Sequence, residues 1–254
     1  MRIITYNVNG IRAAMNKGLL DWANSSKADI ICLQEIKAKE NQIDLDAISY
    51  AGFDSYWFPA EKPGYSGVGI LTKIKPDNII YGSGMPAYDM EGRTLLMEIG
   101  DTILVNWYFP SGSSGEVRQE VKMKFLDEVL SWMENLRAKN KKMIIMGDYN
   151  IAHTDIDIHN PKGNQKTSGF RPEERTWLSK WFQSGVHDSY RHIYPDKIEY
   201  SWWDVRSNAR ASNKGWRIDY HSVTDPLLPL VKDVKHLMDI VHSDHCPVQL
   251  DINL

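Results

Sequence analysis

Residues 143–150 read Met-Ile-Ile-Met-Gly-Asp-Tyr-Asn, an apolar run that stops on a carboxylate and an amide. Four apolar residues without polar alternation fit a strand covered on both faces, so helices are expected to lie over a sheet. Gly147 permits a tight turn, and from it Asp148 and Asn150 are expected to point the same way from alternate positions. Five other stretches have the same build: ITYNVNG from Ile3, IICLQE ending at Glu35, LVNWYFP ending at Pro110, GWRIDY ending at Tyr220 and SDHCP from Ser243. Their polar residues are carboxylates, amides, one tyrosine and one histidine. Hard oxygen ligands of this kind suit Mg²⁺ or Mn²⁺. A histidine beside them reads as a general acid or base, or as a phosphate contact. The set points to metal-assisted phosphodiester hydrolysis.

Other classes lose ground on composition. The chain has 254 residues, of which 42% are hydrophobic. It carries no cysteine cluster, no glycine-rich phosphate loop and no serine elbow. The signatures run from residue 7 to residue 245, so one site needs both ends of the chain. A single domain over 1–254, with two similar halves, is expected. Cys32 and Cys246 sit in apolar contexts and read as buried thiols in a reducing, cytoplasmic setting. MRIITYNVNG has no apolar core for a signal peptide, and no segment reaches the roughly 18 apolar residues of a membrane span. The net charge is −3. Residues 162–217, however, hold eleven Lys/Arg against six Asp/Glu, a local +5 that leaves −8 elsewhere. That asymmetry favours a polyanionic partner.

Strand-like runs recur at 2–7, 29–34, 55–59, 67–72, 78–81, 93–99, 102–108, 143–147, 199–203, 217–223 and 247–252. Short helices are expected near 17–25 and 42–50. A capping box at Ser113–Glu116 is expected to open a helix near 115–138, with Val117, Val121, Phe125, Val129, Trp132 and Leu136 on its apolar side. Another helix is expected from Pro172 to Gly185. Two long polar loops, 151–171 and 203–216, adjoin the signatures and are placed to bind.

Individual residues carry expectations. Glu35, ending a buried strand, needs a partner such as a metal. Asp148 is expected to orient or deprotonate water, with Asn150 on that water or on a phosphate oxygen. Asp219 and His245 are expected to pair, fixing the imidazole tautomer and favouring imidazolium. Asp244 is a supporting or alternative metal ligand. Asn7 and Asn9 are expected on one face of the first strand, Asn7 orienting an acid and Asn9 near the metal. Tyr108 is expected to donate to a phosphate oxygen.

The stretches ITYNVNGIRA, DIICLQEIK, YSGVGI, EGRTL, YFPSG, GDYNIAHTDIDIHNPKGN, SGFRPEER, NARASNKGWRIDY and SDHCP, in this order, resemble the exonuclease III family of apurinic/apyrimidinic (AP) endonucleases, within the deoxyribonuclease I-like superfamily. They cover nearly the whole chain. The resemblance implies an α+β fold, a four-layer sandwich of two mixed sheets packed face to face with helices outside. It implies Glu35 as principal Mg²⁺ ligand with Asn9 nearby, and Asp148 as the water-activating acid supported by Asn7 and Asn150. It places His245, paired with Asp219, and Tyr108 on the scissile phosphate. It makes Asn160 and Asn164 phosphate contacts, and Trp202, Trp216 and Ile218 a pocket for the base-less sugar. Shape selection fits that pocket, because a tryptophan floor excludes a nucleotide that keeps its base. The implied activity is incision 5′ to abasic sites in duplex DNA, with trimming of blocked 3′ ends, by a monomer. A phosphatase of small molecules and a non-catalytic DNA-binding module are the alternatives. The chain departs from relatives at Asn9, where some have Asp, and at Ser111, where others carry Asn or Gln. SGSSG lacks an Arg that some relatives insert into DNA, and Arg206 replaces an apolar wedge. In this loop Arg206 is expected to contact DNA.

Overall fold

The computed structural model describes residues 1–139 and 142–254. Twelve strands follow in chain order: β1 (Arg2–Asn7), β2 (Ile30–Gln34), β3 (Asp54–Phe58), β4 (Val68–Thr72), β5 (Asn78–Tyr81), β6 (Thr94–Ile99), β7 (Thr102–Tyr108), β8 (Lys142–Asp148), β9 (Val186–Asp188), β10 (Asp219–Thr224), β11 (Val231–His236) and β12 (Val248–Ile252). The helices are α1 (Ile11–Asn16), α2 (Leu19–Ser25), α3 (Leu45–Tyr50), α4 (Pro86–Asp89), α5 (Glu116–Lys139), α6 (Pro172–Gln183) and α7 (Ser189–Ile193).

The strands form two six-stranded sheets, ordered β11-β12-β1-β2-β4-β3 and β5-β6-β7-β8-β10-β9. Each has one parallel pair at its centre, β1/β2 and β7/β8, flanked by antiparallel neighbours. The two sheets therefore repeat one pairing pattern.

Alternation along the central strands explains the apolar runs. Ile3, Ile30, Cys32 and Ile70 point inward and meet Leu104, Ile144 and Met146 from the other sheet. Their neighbours Ile4, Ile31 and Leu71 point outward under Ile11, Leu19 and Ile48 of the first three helices. On the other side Val105, Trp107 and Ile145 lie under Phe125, Val129, Trp177 and Trp181. Helix, sheet, sheet, helix is the four-layer sandwich expected. Both faces of each sheet are dry, so neither face needs polar residues.

The inter-sheet layer turns polar towards one end. Gln34 donates to Asn106 Oδ1 at 2.7 Å and to Thr5 Oγ1 at 2.9 Å, and Asn106 donates to the carbonyls of Leu33 and Gly69. Burying these amides is tolerable because their N–H groups and the Asn106 oxygen are all bonded, the Gln34 Oε1 alone of the pair's polar atoms standing without a partner among the described residues.

Several local expectations are corrected. The run 199–203 is no strand; Trp202 makes only isolated bridges, because this segment lies over the sheet end as a loop. Strands β9 and β11 were not anticipated; β11 alternates buried and exposed residues at a sheet edge. The helix expected near 17–25 is α2, and an unexpected helix, α1, precedes it, the two separated at Gly18 with its φ of 89°. On α5 the buried stripe is Gln119, Lys122, Phe125, Leu126, Val129 and Met133, and Val117 is 74% exposed. The capping box does not form as expected, since Glu116 is taken by Arg171 at 2.6 Å and the first turn closes on the Gly115 carbonyl. Lys122 and Glu174 make a wholly buried ion pair at 2.6 Å that ties α5 to α6. Removing one partner of such a pair typically costs ~3–5 kcal/mol.

Candidate active site

The polar ends of β1, β2, β7 and β8 emerge together at one edge of the sandwich, with the start of β10 and the turn before β12. They border a cleft of about 670 Å³. Gly147 makes the central approach possible. A Cβ there would stand 1.7 Å from the Trp107 carbonyl oxygen, so only glycine lets β8 lie this close to β7 and carry Asp148 into the cleft.

Asp148 is buried and encircled by donors. Asn7 Nδ2 donates to its Oδ2 at 2.9 Å, Asn150 Nδ2 to the same oxygen at 3.2 Å, and the Asn150 amide to Oδ1 at 2.8 Å. Asn150 thus closes an Asx-type turn and also supports the acid. Its own position is fixed by donation to the Phe109 carbonyl at 3.0 Å and by Lys122, which donates to the Asn150 carbonyl at 2.8 Å. Burial, together with the facing Asp219, pushes the Asp148 carboxyl up to about 7, against the pull of His245.

His245 Nδ1 lies 2.8 Å from Asp219 Oδ2, the pairing expected, and Ser201 Oγ donates to that same oxygen at 2.6 Å. Burial opposes a charged imidazole, but Asp219 and then Asp148 overcome it and hold His245 up at about 10. Its Nε2 stands 3.9 Å from Asp148 Oδ2. Asp148, Asp219 and His245 are near enough to one another to hold an ion. The direct His245–Asp219 contact uses the ligand atoms, so we read this trio as acid–base machinery. Tyr108 lines the cleft with its ring under the Arg93 guanidinium at 4.9 Å. Burial, then Glu35 and Asp148, raise its phenol well above the ordinary value, leaving it a proton donor.

Glu35, Asn9 and Asp244 also line the cleft, beside Asp148. Asn7 Nδ2 donates to Glu35 Oε2 at 3.1 Å, so one amide spans Glu35 and Asp148. Lys37 Nζ lies 2.9 Å from Glu35 Oε1 and donates to Asn9 Oδ1 at 2.5 Å. These oxygens already stabilise a cation, and the donor set is all oxygen and free of sulfur; the residues fit a hard divalent ion. Asp244 accepts from Asn9 and Trp202, and its carboxyl is held low: burial opposes this, and His245, Asn9 and Trp202 outweigh it. Asn9 and Asn150 do not continue their strands as expected. Both follow the strand end in left-handed conformation, with φ of 45° and 53°, as does Glu35 at 55°. Such backbone strain costs roughly 1–3 kcal/mol per residue and is found where function demands a particular aim.

Trp202, Trp216 and Ile218 form an apolar wall, the two indoles edge to face at 6.0 Å over Phe170 and Ile158. Asn160 and Asn164 are not in the catalytic cleft; they border an adjoining hollow of about 380 Å³ behind the two tryptophans. Asn164 Nδ2 is spent on the His159 and Asn160 carbonyls. Arg206 reaches the cleft; its backbone amide bonds Asp204, and its guanidinium has no partner among the described residues. Ser111 lines the cleft beside Ser113.

The basic stretch 162–217 is less free than its composition implies. Arg217 and Arg191 are bound to Asp157, and Arg217 also to Asp188. Arg171 and Arg175 pair with Glu116 and Asp155. Lys162, Lys166, Lys180, Arg206 and Lys214 have no ion-pair partner among the described residues, and Arg210 is spent on the carbonyls of Ile240, Ser243 and His245. Sequence reasoning missed Lys37, Tyr65, Arg93, Arg118 and Lys122. Tyr65 accepts from both Arg93 and Arg118 at the cleft rim. The signal for Lys122 was its place among 119, 122, 126, 129 and 133, the spacing of a buried stripe.

Residues 4–245 match the pattern of the Endonuclease/Exonuclease/phosphatase family. The chain is 41% identical over 256 residues to an exodeoxyribonuclease of Bacillus subtilis, covering all of both chains. It is 40% identical over 253 residues to the DNA repair nuclease APEX1 of Danio rerio, covering 98% of this chain and 81% of that one. Among solved structures, an AP endonuclease from Archaeoglobus fulgidus superposes with a TM-score of 0.91 at 25% identity, over the full length of both. The chain therefore belongs to the endonuclease/exonuclease/phosphatase family, as an enzyme of exonuclease III/AP endonuclease type.

Proposed function

We propose that the protein is a Mg²⁺-dependent DNA-repair nuclease, with Mn²⁺ able to substitute. It hydrolyses the phosphodiester 5′ to abasic sites in duplex DNA and trims blocked 3′ ends. The observation that carries this is the 3.9 Å gap between His245 Nε2 and Asp148 Oδ2, opening on a cleft walled by Trp202, Trp216 and Ile218. His245 and Asp148 face the cleft side by side, so a phosphoryl oxygen and an attacking water can each be met by one of them, while the apolar wall takes the base-less sugar.

Asp148 accepts the proton of the attacking water as the new P–O bond forms and the P–O3′ bond breaks, and the departing 3′ oxygen takes a proton from solvent water. Asn7 and Asn150 hold the carboxylate in line and leave the cleft side open. His245 keeps its imidazolium against the phosphoryl oxygens, where negative charge grows, with Asp219 and Ser201 fixing its ring. Tyr108 donates its phenol proton to another phosphate oxygen. Glu35, with Asn9 and Asp244, would hold the divalent ion, which when bound supplies Lewis-acid stabilisation of the phosphate and the leaving oxygen. Products are a 3′-hydroxyl and a 5′-deoxyribose phosphate.

Lys162, Lys166, Arg206 and Lys214 support a polyanionic duplex over a small phosphorylated molecule. We also place the protein in the cytoplasm, which its buried thiols Cys32 and Cys246 support, and take it to act as a monomer. No helix among the described residues is long and apolar enough to cross a membrane. The test is a gel assay of abasic, undamaged and 3′-phosphate duplexes with Mg²⁺ or with excess EDTA. Incision of the abasic strand only with Mg²⁺ is expected; cutting that persists in EDTA overturns the metal assignment.

A further inference from the structure

Trp202 is clamped by its backbone. It exchanges two hydrogen bonds with Trp216, both at 2.9 Å, and bridges to His245. Its indole therefore stands as a partition between the catalytic cleft and the hollow that holds Asn160. A partition needs only apolar ring surface. This one also has a polar bond: the indole N–H donates to Asp244 Oδ2 at 3.0 Å.

The bond continues into the part of the cleft wall that holds Glu35. Asp244 Oδ1 accepts from Asn9 Nδ2 at 2.9 Å and from Ser243 Oγ at 3.0 Å. Asn9 is thereby turned so that its Oδ1 faces the place where Lys37 Nζ now rests, 2.9 Å from Glu35 Oε1. One chain of hydrogen bonds runs from the sugar pocket through Asp244 and Asn9 to the oxygens beside Glu35.

We propose that Trp202 is a positioning residue for the metal-binding wall as well as a pocket wall, its indole N–H fixing Asp244 and, through it, Asn9. This rests on the metal reading above. The terminal torsion of an aspartate is soft, so a carboxylate that loses one of its donors swings. Asn9 is exposed, in a left-handed turn, and its side chain is held only by Asp244 and Lys37. Its aim therefore depends on Asp244 staying still. Groups that hydrogen-bond metal ligands commonly change metal affinity ~10–100-fold when lost. Of Glu35, Asn9 and Asp244, Trp202 bonds Asp244 alone and reaches Asn9 only through it, so it carries a share at or below the low end of that range. The same bond makes the metal end responsive to what fills the pocket.

The test measures Mn²⁺ affinity of the full chain without DNA, by electron paramagnetic resonance of the free ion, for wild type and Trp202→Phe. Phenylalanine keeps an aromatic wall and removes the donor. Binding weaker by roughly three- to tenfold, with an unchanged melting temperature, is expected. Equal affinity in a folded Trp202→Phe protein overturns the inference and leaves the metal reading standing. A wild type that binds no Mn²⁺ removes the metal reading, and the inference with it. A second arm follows the Trp202 indole proton by NMR in the wild type and in Asp244→Asn, which keeps the tryptophan. The resonance should shift on addition of Mg²⁺ in the wild type, and in Asp244→Asn should lie at higher field and stay still. An indole proton indifferent to both changes overturns the inference, even if Trp202→Phe does not fold.

Discussion

Asp148 lies directly opposite Asp219 in the register of the antiparallel pair β8/β10, and His245 bonds one of these acids while facing the other at 3.9 Å. Two buried carboxylates at facing positions repel unless a cation or a proton is shared between them. The imidazolium answers that repulsion, and the repulsion in turn keeps the imidazole charged. In the metal-free protein Asp148 is expected to titrate near 7 and His245 near 10. A carbon-13 carboxyl titration checks the first value, and added Mg²⁺ should move it down. An Asp148 midpoint in the ordinary carboxylate range without metal contradicts the arrangement.

Asp148→Asn and His245→Ala are each expected to lower single-turnover incision on the order of 10²-fold or more. Combining them should lose less than the product of the two, because base and cation serve one transition state. A single mutant that retains near-wild-type turnover leaves the catalytic set.

Glu35→Ala should raise the Mg²⁺ concentration needed for half-maximal activity and lower the maximum, since its Oε1 already holds a cation. A Mg²⁺ titration curve that superposes on wild type removes Glu35 from the ligand set.

Arg206→Ala should weaken binding to abasic duplex by ~0.5–2 kcal/mol, the range of a guanidinium stacked on a ring, and leave the rate at saturation unchanged. Asp204 accepts from the Arg206 backbone amide and leaves the guanidinium without a hydrogen-bond partner among the described residues. With Lys162, Lys166, Lys180, Arg206 and Lys214 free of ion pairs among the described residues, log affinity should fall against log salt with a slope of about −4 to −5 if all five meet phosphates. Equilibrium binding at several salt concentrations reads both quantities. Undiminished affinity of the mutant ends the DNA-contact role, and a flat salt dependence favours the small-molecule phosphatase.

His221 is buried, and its Nε2 meets the Val248 carbonyl of the other sheet at 2.9 Å. Burial lowers its pKa to about 4. The unfolded chain therefore takes up this proton first, near its ordinary ~6.5. The stability His221 allows is complete above about 6.5 and falls as pH drops towards 4, by up to ~3 kcal/mol. His221→Gln should flatten the dependence of melting temperature on pH between 6.5 and 4.5. An identical slope in both proteins excludes His221 as the source.

Much of this molecule was legible in residue order. MIIMGDYN and its companions announced dry strands ending in oxygen ligands, because a strand buried on both faces can bear polar groups only at its end. The residues proposed for a sugar pocket and the four-layer arrangement followed from family resemblance, not from periodicity. What the sequence could not show was which polar group spends itself on which. Asn7 spanning Glu35 and Asp148, the Asn160 loop lying behind Trp202, and Lys37 resting among the metal-wall oxygens are contacts between distant segments, which no spacing encodes. The basic stretch 162–217 makes the same point. Charge is a property of composition, but Arg217 and Arg191 face inward to Asp157, so their charge is unavailable to DNA. Sequence by itself determined the chemistry on offer and the strand ends that carry it; the tertiary structure decided which groups remain free, because hydrogen bonds and ion pairs are settled by three-dimensional neighbours.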